Sequence, residues 1–93
     1  MISDSIQADI GALIAELEAL GLEVTASQYD AQAFGNYYID LSGTAGPIRI
    51  TRDRGQYLID ADERQLRQRG LFRAFDDLEE FRVAVLTYAR TLI

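Results

Sequence analysis

Between Tyr37 and Asp60 apolar and polar side chains alternate in three successive runs, separated by two short breaks. Tyr37, Ile39 and Leu41 interleave with Tyr38, Asp40 and Ser42; Ile48 and Ile50 interleave with Arg49 and Thr51; Tyr57 and Ile59 flank Leu58. A period of two gives a strand one dry face and one wet face. The breaks are Ser42-Gly43-Thr44-Ala45-Gly46-Pro47 and Arg52-Asp53-Arg54-Gly55. Both contain the glycine that a tight hairpin uses where φ is positive. The stretch is therefore expected to form an antiparallel meander of three strands.

The flanking segments complete a domain around it. Ser3 and Asp4 are candidate N-caps, with Gln7 three residues beyond Asp4 in a capping-box pattern. A helix is predicted from there to about Leu20, with Ile6, Ile10, Leu13, Ile14, Leu17 and Leu20 on one stripe. Asp9, Glu16 and Glu18 are expected to project away from that stripe. Gly11 is assigned to close packing, and Gly21 to the C-terminal cap. Leu22 to Tyr29 returns to alternation, with Leu22, Val24 and Ala26 on one side and Glu23, Thr25 and Ser27 on the other. That adds a first strand, joined to the meander through Asp30–Asn36, where Gly35-Asn36 supplies turn chemistry.

Beyond Asp60, residues 61–70 are polar and rich in helix formers, with Leu66 as the apolar anchor. A short helix capped by Asp62 and stopped at Gly70 fits this stretch. Leu71, Phe72 and Phe75 are expected to re-enter the core. Asp76 and Glu79 form a second capping box before a final helix, on which Leu78, Phe81, Val85, Tyr88 and Leu92 recur at spacings of three and four. The predicted fold class is α+β, a two-layer α-β-β-β-β-α domain over residues 1–93. Its four-stranded antiparallel meander carries the N- and C-terminal helices on one face.

A chain of 93 residues can bury one core. It contains no cysteine, so packing alone must hold it, which fits a reducing compartment. No apolar run reaches the roughly 20 residues of a membrane helix, and the first residues lack a signal peptide's basic region and apolar core. A soluble, cytoplasmic protein is the expectation.

Charge divides the chain. Residues 1–48 hold seven acids and no base, a net −7, whereas residues 49–93 hold nine arginines and eight acids, a net +1; together they make the −6 of the whole. An acidic balance opposes non-specific nucleic-acid binding, which depends on neutralising phosphates, and suits a cationic partner. Arg49, Arg52, Arg54, Arg64, Arg67, Arg69 and Arg73 do form a basic concentration. However, Asp53, Asp60, Asp62 and Glu63 lie among them and predict a salt-bridged surface.

The absence of histidine and cysteine removes the usual nucleophile–base pairs and the imidazole or thiolate metal sites. Asp60-x-Asp62-Glu63 lacks calcium-loop spacing, and Asp76-Asp77-x-Glu79-Glu80 is accounted for by capping. Gly43-Thr44-Ala45-Gly46 has no following lysine and runs into a proline, so it reads as a turn and not as a phosphate loop. No catalytic residue, cofactor or metal ligand is therefore assigned. The candidate contact residues are those of an interface. Tyr38, Asp40, Arg49 and Leu58 should share the wet face of the sheet with Thr51, and the acids Asp9, Glu16 and Glu23 are assigned to electrostatic steering.

Phe34-Gly35-Asn36-Tyr37-Tyr38-Ile39, followed by Pro47-Ile48-Arg49-Ile50-Thr51-Arg52-Asp53-Arg54-Gly55-Gln56-Tyr57, resembles the strand-turn-strand segment of small bacterial immunity proteins of polymorphic toxin and contact-dependent inhibition systems. The resemblance implies a non-enzymatic protein that binds one cognate toxin domain tightly and blocks it. It carries no residue-level binding motif. The alternative is a small acidic secretion chaperone or another protein-interaction module; secretion chaperones usually dimerise, so a homodimer is also compatible with the sequence.

Overall fold

The computed structural model describes residues 2–43 and 46–92. Thr44 and Ala45, in the middle of the first predicted turn of the meander, lie outside the described residues. Four strands form one antiparallel sheet in chain order: β1 (Leu22–Asp30), β2 (Asn36–Gly43), β3 (Ile48–Asp53) and β4 (Gln56–Asp60). Each apolar run lands in register with the next. Ile39 faces Ile50, Ile50 faces Ile59, and Leu41 faces Ile48, so the inward side chains make continuous rows across the sheet. β3 passes to β4 through Arg54-Gly55 alone, both at positive φ (54° and 80°). This is the pattern of a type I′ turn, whose twist matches that of the strands it joins.

Three helices accompany the sheet among the described residues: α1 (Asp4–Ala19), α2 (Glu63–Gln68) and α3 (Leu78–Thr91). Ser3 is the N-cap of α1, its side chain accepting from Ile6 N–H. α1 lies against β1, α3 against β4, and the two helices touch each other on the same face of the sheet. Their stripes bury Ile6, Ile10, Leu13, Ile14 and Leu17 from one side and Phe81, Val85, Leu86, Tyr88 and Ala89 from the other. Asp62 caps α2, and Leu66 is fully buried beneath it. α2 ends in a Schellman arrangement, with Leu71 N–H on Leu66 O at 2.8 Å and Gly70 N–H on Arg67 O at 3.3 Å. The predicted two-layer α+β architecture is the observed one, with α2 as a third, short helix on the path to α3.

Several local expectations are corrected. The strict alternation expected for β1 breaks at a bulge between Val24 and Ala26. Thr25 is the extra residue, and its hydroxyl donates to Asp40 O at 3.3 Å. One inserted residue reverses the parity that follows. Ala26 therefore pairs with outward Asp40, while Ser27 pairs with inward Ile39. Phe72 does not enter the core; it is half-exposed, with the Arg67 guanidinium 4.2 Å from its ring centre. Phe75 takes the buried place, exchanging two 2.8 Å backbone hydrogen bonds with Tyr57 and covering the outer edge of β4. Its ring meets Phe81 edge-on, and Phe81 stacks on Tyr57, each pair with centroids 5.4 Å apart.

α3 is capped one residue later than expected. Asp77, not Asp76, accepts from Glu80 N–H at 2.8 Å, and Asp76 instead accepts from the Gln56 side chain. Gly11 does not provide a close contact with the core. A Cβ there would meet only the flexible Gln7 side chain, and the helix departs from helical φ/ψ at the preceding residue, Ile10.

Candidate functional site

The helices cover one face of the sheet and leave the other bare. Its wet residues form cross-strand rows of their own. Gln28, Tyr38, Thr51 and Leu58 make one row, and Ala26, Asp40, Arg49 and Asp60 the next. Arg49 organises this surface. Its Nε and Nη2 donate to Asp40 Oδ1 and Oδ2 at 2.7 and 2.9 Å, a fork-on-fork geometry. The same guanidinium lies 4.1 Å from the centre of the Tyr38 ring. The hydrogen bond to Asp40, with Asp60 opposite, holds the Arg49 pKa above its ordinary value. A shallow depression of about 310 Å³ runs from Tyr38 and Arg49 past Thr51 to Asp30, Asn36 and Asp53.

A second polar cluster lies on the covered face. Tyr37, Arg52 and Tyr57 form the inward row at one end of the sheet, and all three converge on Asp9 of α1. Asp9 Oδ2 accepts from Tyr37 Oη at 2.6 Å and from Arg52 Nη1 at 3.4 Å; Tyr57 Oη lies 3.0 Å from both carboxylate oxygens. Burial, and then the bond to Asp9, raises the pKa of both phenols, so the hydroxyls stay protonated as donors. Arg52 Nε is buried without a hydrogen-bond partner. The arrangement fastens α1 to the sheet through one carboxylate that serves three donors.

Glu16 is also engaged within the fold. Arg82 of α3 donates to its two oxygens at 2.7 and 2.8 Å, and that bond lowers the Glu16 pKa. Arg82 also donates to Glu79, and Arg73 to Glu80. Of the clusters weighed as cation sites, Asp62 and Asp77 cap helices, Asp76 accepts from Gln56, and Glu63, Glu79 and Glu80 pair with arginines. Among the described residues no group of three or more candidate ligands is placed to hold a metal ion.

Of the sequence-predicted contact residues, Tyr38, Asp40, Arg49 and Leu58 come together on the outer face, as their shared parity implied. Glu23 joins that face at the start of β1, opposite Ser42. Asp9 and Glu16 do not project freely: Asp9 turns into the sheet, and Glu16 into α3. Glu18 on α1 and Glu23 and Asp30 on β1 are exposed acids. The Asp9 cluster was missed because Tyr37, Arg52 and Tyr57 stand 28 to 48 positions from Asp9 in the chain. The available signal was the β3 alternation, which carries the inward face on from Ile48 and Ile50 to Arg52. Comparison with known proteins finds no matching family model, no similar curated protein and no similar solved structure.

Proposed function

We propose that this chain is a binding protein that neutralises a cognate, basic toxin domain by stoichiometric association, in the manner of the small immunity proteins that its Phe34–Ile39 and Pro47–Tyr57 segments resemble. The observation that carries the reading is the bare outer face, where a half-buried tyrosine lies under an arginine that is itself clamped by Asp40. Tyrosine and arginine fixed in one geometry before contact lose little side-chain entropy on binding, and both are enriched among the residues that dominate interface energetics. The acids Glu18, Glu23 and Asp30 supply long-range attraction for a cationic partner. No catalytic role is assigned to the chain.

Affinity capture from a lysate of the source organism, with stoichiometry read by mass spectrometry, tests this. A single partner with a compact basic domain supports the reading. The secretion-chaperone alternative draws on a different feature, the outer edge of β1, which no strand pairs with among the described residues. Such an edge accepts an extended segment by strand addition. Capture of effectors through unfolded N-terminal segments would favour that alternative over the toxin reading.

A further inference from the structure

The turn between β1 and β2 holds an aromatic ring in water against two opposing costs. Ala33-Phe34-Gly35-Asn36 is closed by Asn36 N–H donating to Ala33 O at 3.0 Å, with Phe34 and Gly35 at φ 60° and 70°. Two successive positive φ values favour Asn, Asp or Gly at the first central position, and a bulky residue there is strained. Phe34 nevertheless occupies it and is 84% exposed, where Val83 reaches 53% and Phe72 46%.

The turn is not loose. Asp30 Oδ1 accepts from Gln32 N–H at 3.0 Å, and Ala33 N–H donates to Asp30 O at 3.3 Å. Asn36 ties the turn to its neighbour between β3 and β4, donating to Asp53 Oδ1 at 3.1 Å and accepting from Arg54 N–H at 2.9 Å. Tyr29 supports it from the side, its hydroxyl 3.3 Å from where a Cβ on Gly35 would stand. Backbone strain of this kind persists at ligand clamps, and a rigid exposed ring is the form an interface anchor takes.

We infer that Phe34 is a preorganised anchor that inserts into an apolar pocket of a folded protein partner whose surrounding surface is cationic. The partner's charge follows from the net −6 of the chain and from Asp30 and Asp53 beside the turn, which outnumber the neighbouring Arg54. The same charge disfavours an anionic lipid surface or a second copy of this chain as the occupant. The inference rests on the proposed binding function, and it extends the contact from the outer sheet face past Asn36 to the tip of the hairpin.

The test uses full-length wild type, Phe34→Gly and Tyr38→Ala, with the partner recovered on wild-type bait and purified as the titrant. Glycine takes positive φ without strain, so Phe34→Gly should melt at or above the wild-type temperature while binding the partner about 30-fold more weakly or worse. A lowered melting temperature would make the ring part of the fold and overturn the inference. Unchanged affinity in Phe34→Gly, with binding lost in Tyr38→Ala, would overturn it and leave the proposed function standing. Recovery of no partner on wild-type bait would defeat both. Wild-type co-sedimentation with phosphatidylglycerol vesicles, or a dimer in sedimentation, that disappears in Phe34→Gly would give the ring to a membrane or to a second copy, and would likewise overturn it.

Discussion

Tyr37 on β2 donates its phenolic hydrogen to Asp9 on α1 at 2.6 Å, across 28 positions of sequence. The bond joins the two layers at the end of the sheet where the apolar rows give way to Tyr37, Arg52 and Tyr57. Removing its acceptor should be costly, because donors left buried without partners lose solvation that nothing replaces. Asp9→Ala is expected to destabilise the fold by about 1–3 kcal/mol or more in equilibrium urea denaturation. A neutral result would mean that the cluster is solvated and does not fasten α1.

The same pair sets an alkaline limit. Tyr37 and Tyr57 have raised pKa values in the fold, so the unfolded chain ionises first, near pH 10. Their contribution is fully present below that pH and is lost as pH rises from there towards the folded-state values. Denaturation midpoints should therefore fall above about pH 10, and Tyr37→Phe should flatten the decline. An equally steep decline in the variant would remove Tyr37 from the account.

At the acid end the sign reverses. Arg82 lowers the Glu16 pKa, so this pair stabilises above the ordinary carboxylate range and is lost as pH falls through it. Glu16 and Arg82 are both about one-third exposed, and screening keeps the effect small. Glu16→Gln should bring the denaturation midpoints at pH 3 and pH 7 closer together, measured at low salt. No change in that difference would show that the bidentate geometry contributes nothing measurable.

Ile39 and Ile50 face one another in the fully buried centre of the sheet. Alanine at either position should cost about 2–5 kcal/mol, through lost burial and the cavity left behind. Chemical denaturation with an unchanged slope provides the check.

The steering acids are best probed where the fold does not use them. Glu18→Lys and Glu23→Lys combined should slow association with the captured partner at low salt, and the difference should shrink as salt rises. An on-rate independent of these charges would discard electrostatic steering.

The parts of this fold legible in the sequence are those set by short-range repetition. Alternation in β2, β3 and β4, the three- and four-residue spacing of the helices and the Arg54-Gly55 turn each depend on neighbours within a few positions, and each appears where expected. The outer face followed directly, since the parity that buries Ile39 and Ile50 must expose Tyr38 and Arg49. What failed depended on single insertions or on distant partners. Thr25 enters β1 as one extra residue and reverses the parity behind it, which composition does not signal. Asp76 and Asp77 are equivalent as caps until the helix start is known to one residue. Asp9 reads as a solvent acid from its place in α1, and only the arrival of Tyr37, Arg52 and Tyr57 from the sheet gives it a structural role.

The most direct test of the central claim is a paired capture from the same lysate, with wild type and the double variant Tyr38→Ala, Arg49→Ala as baits, after both are shown to melt alike. The account predicts one stoichiometric partner with a basic domain on the wild-type bait, and its loss from the variant. Equal recovery on both baits, or no stoichiometric partner on either, would contradict the assignment of the outer sheet face as a binding surface.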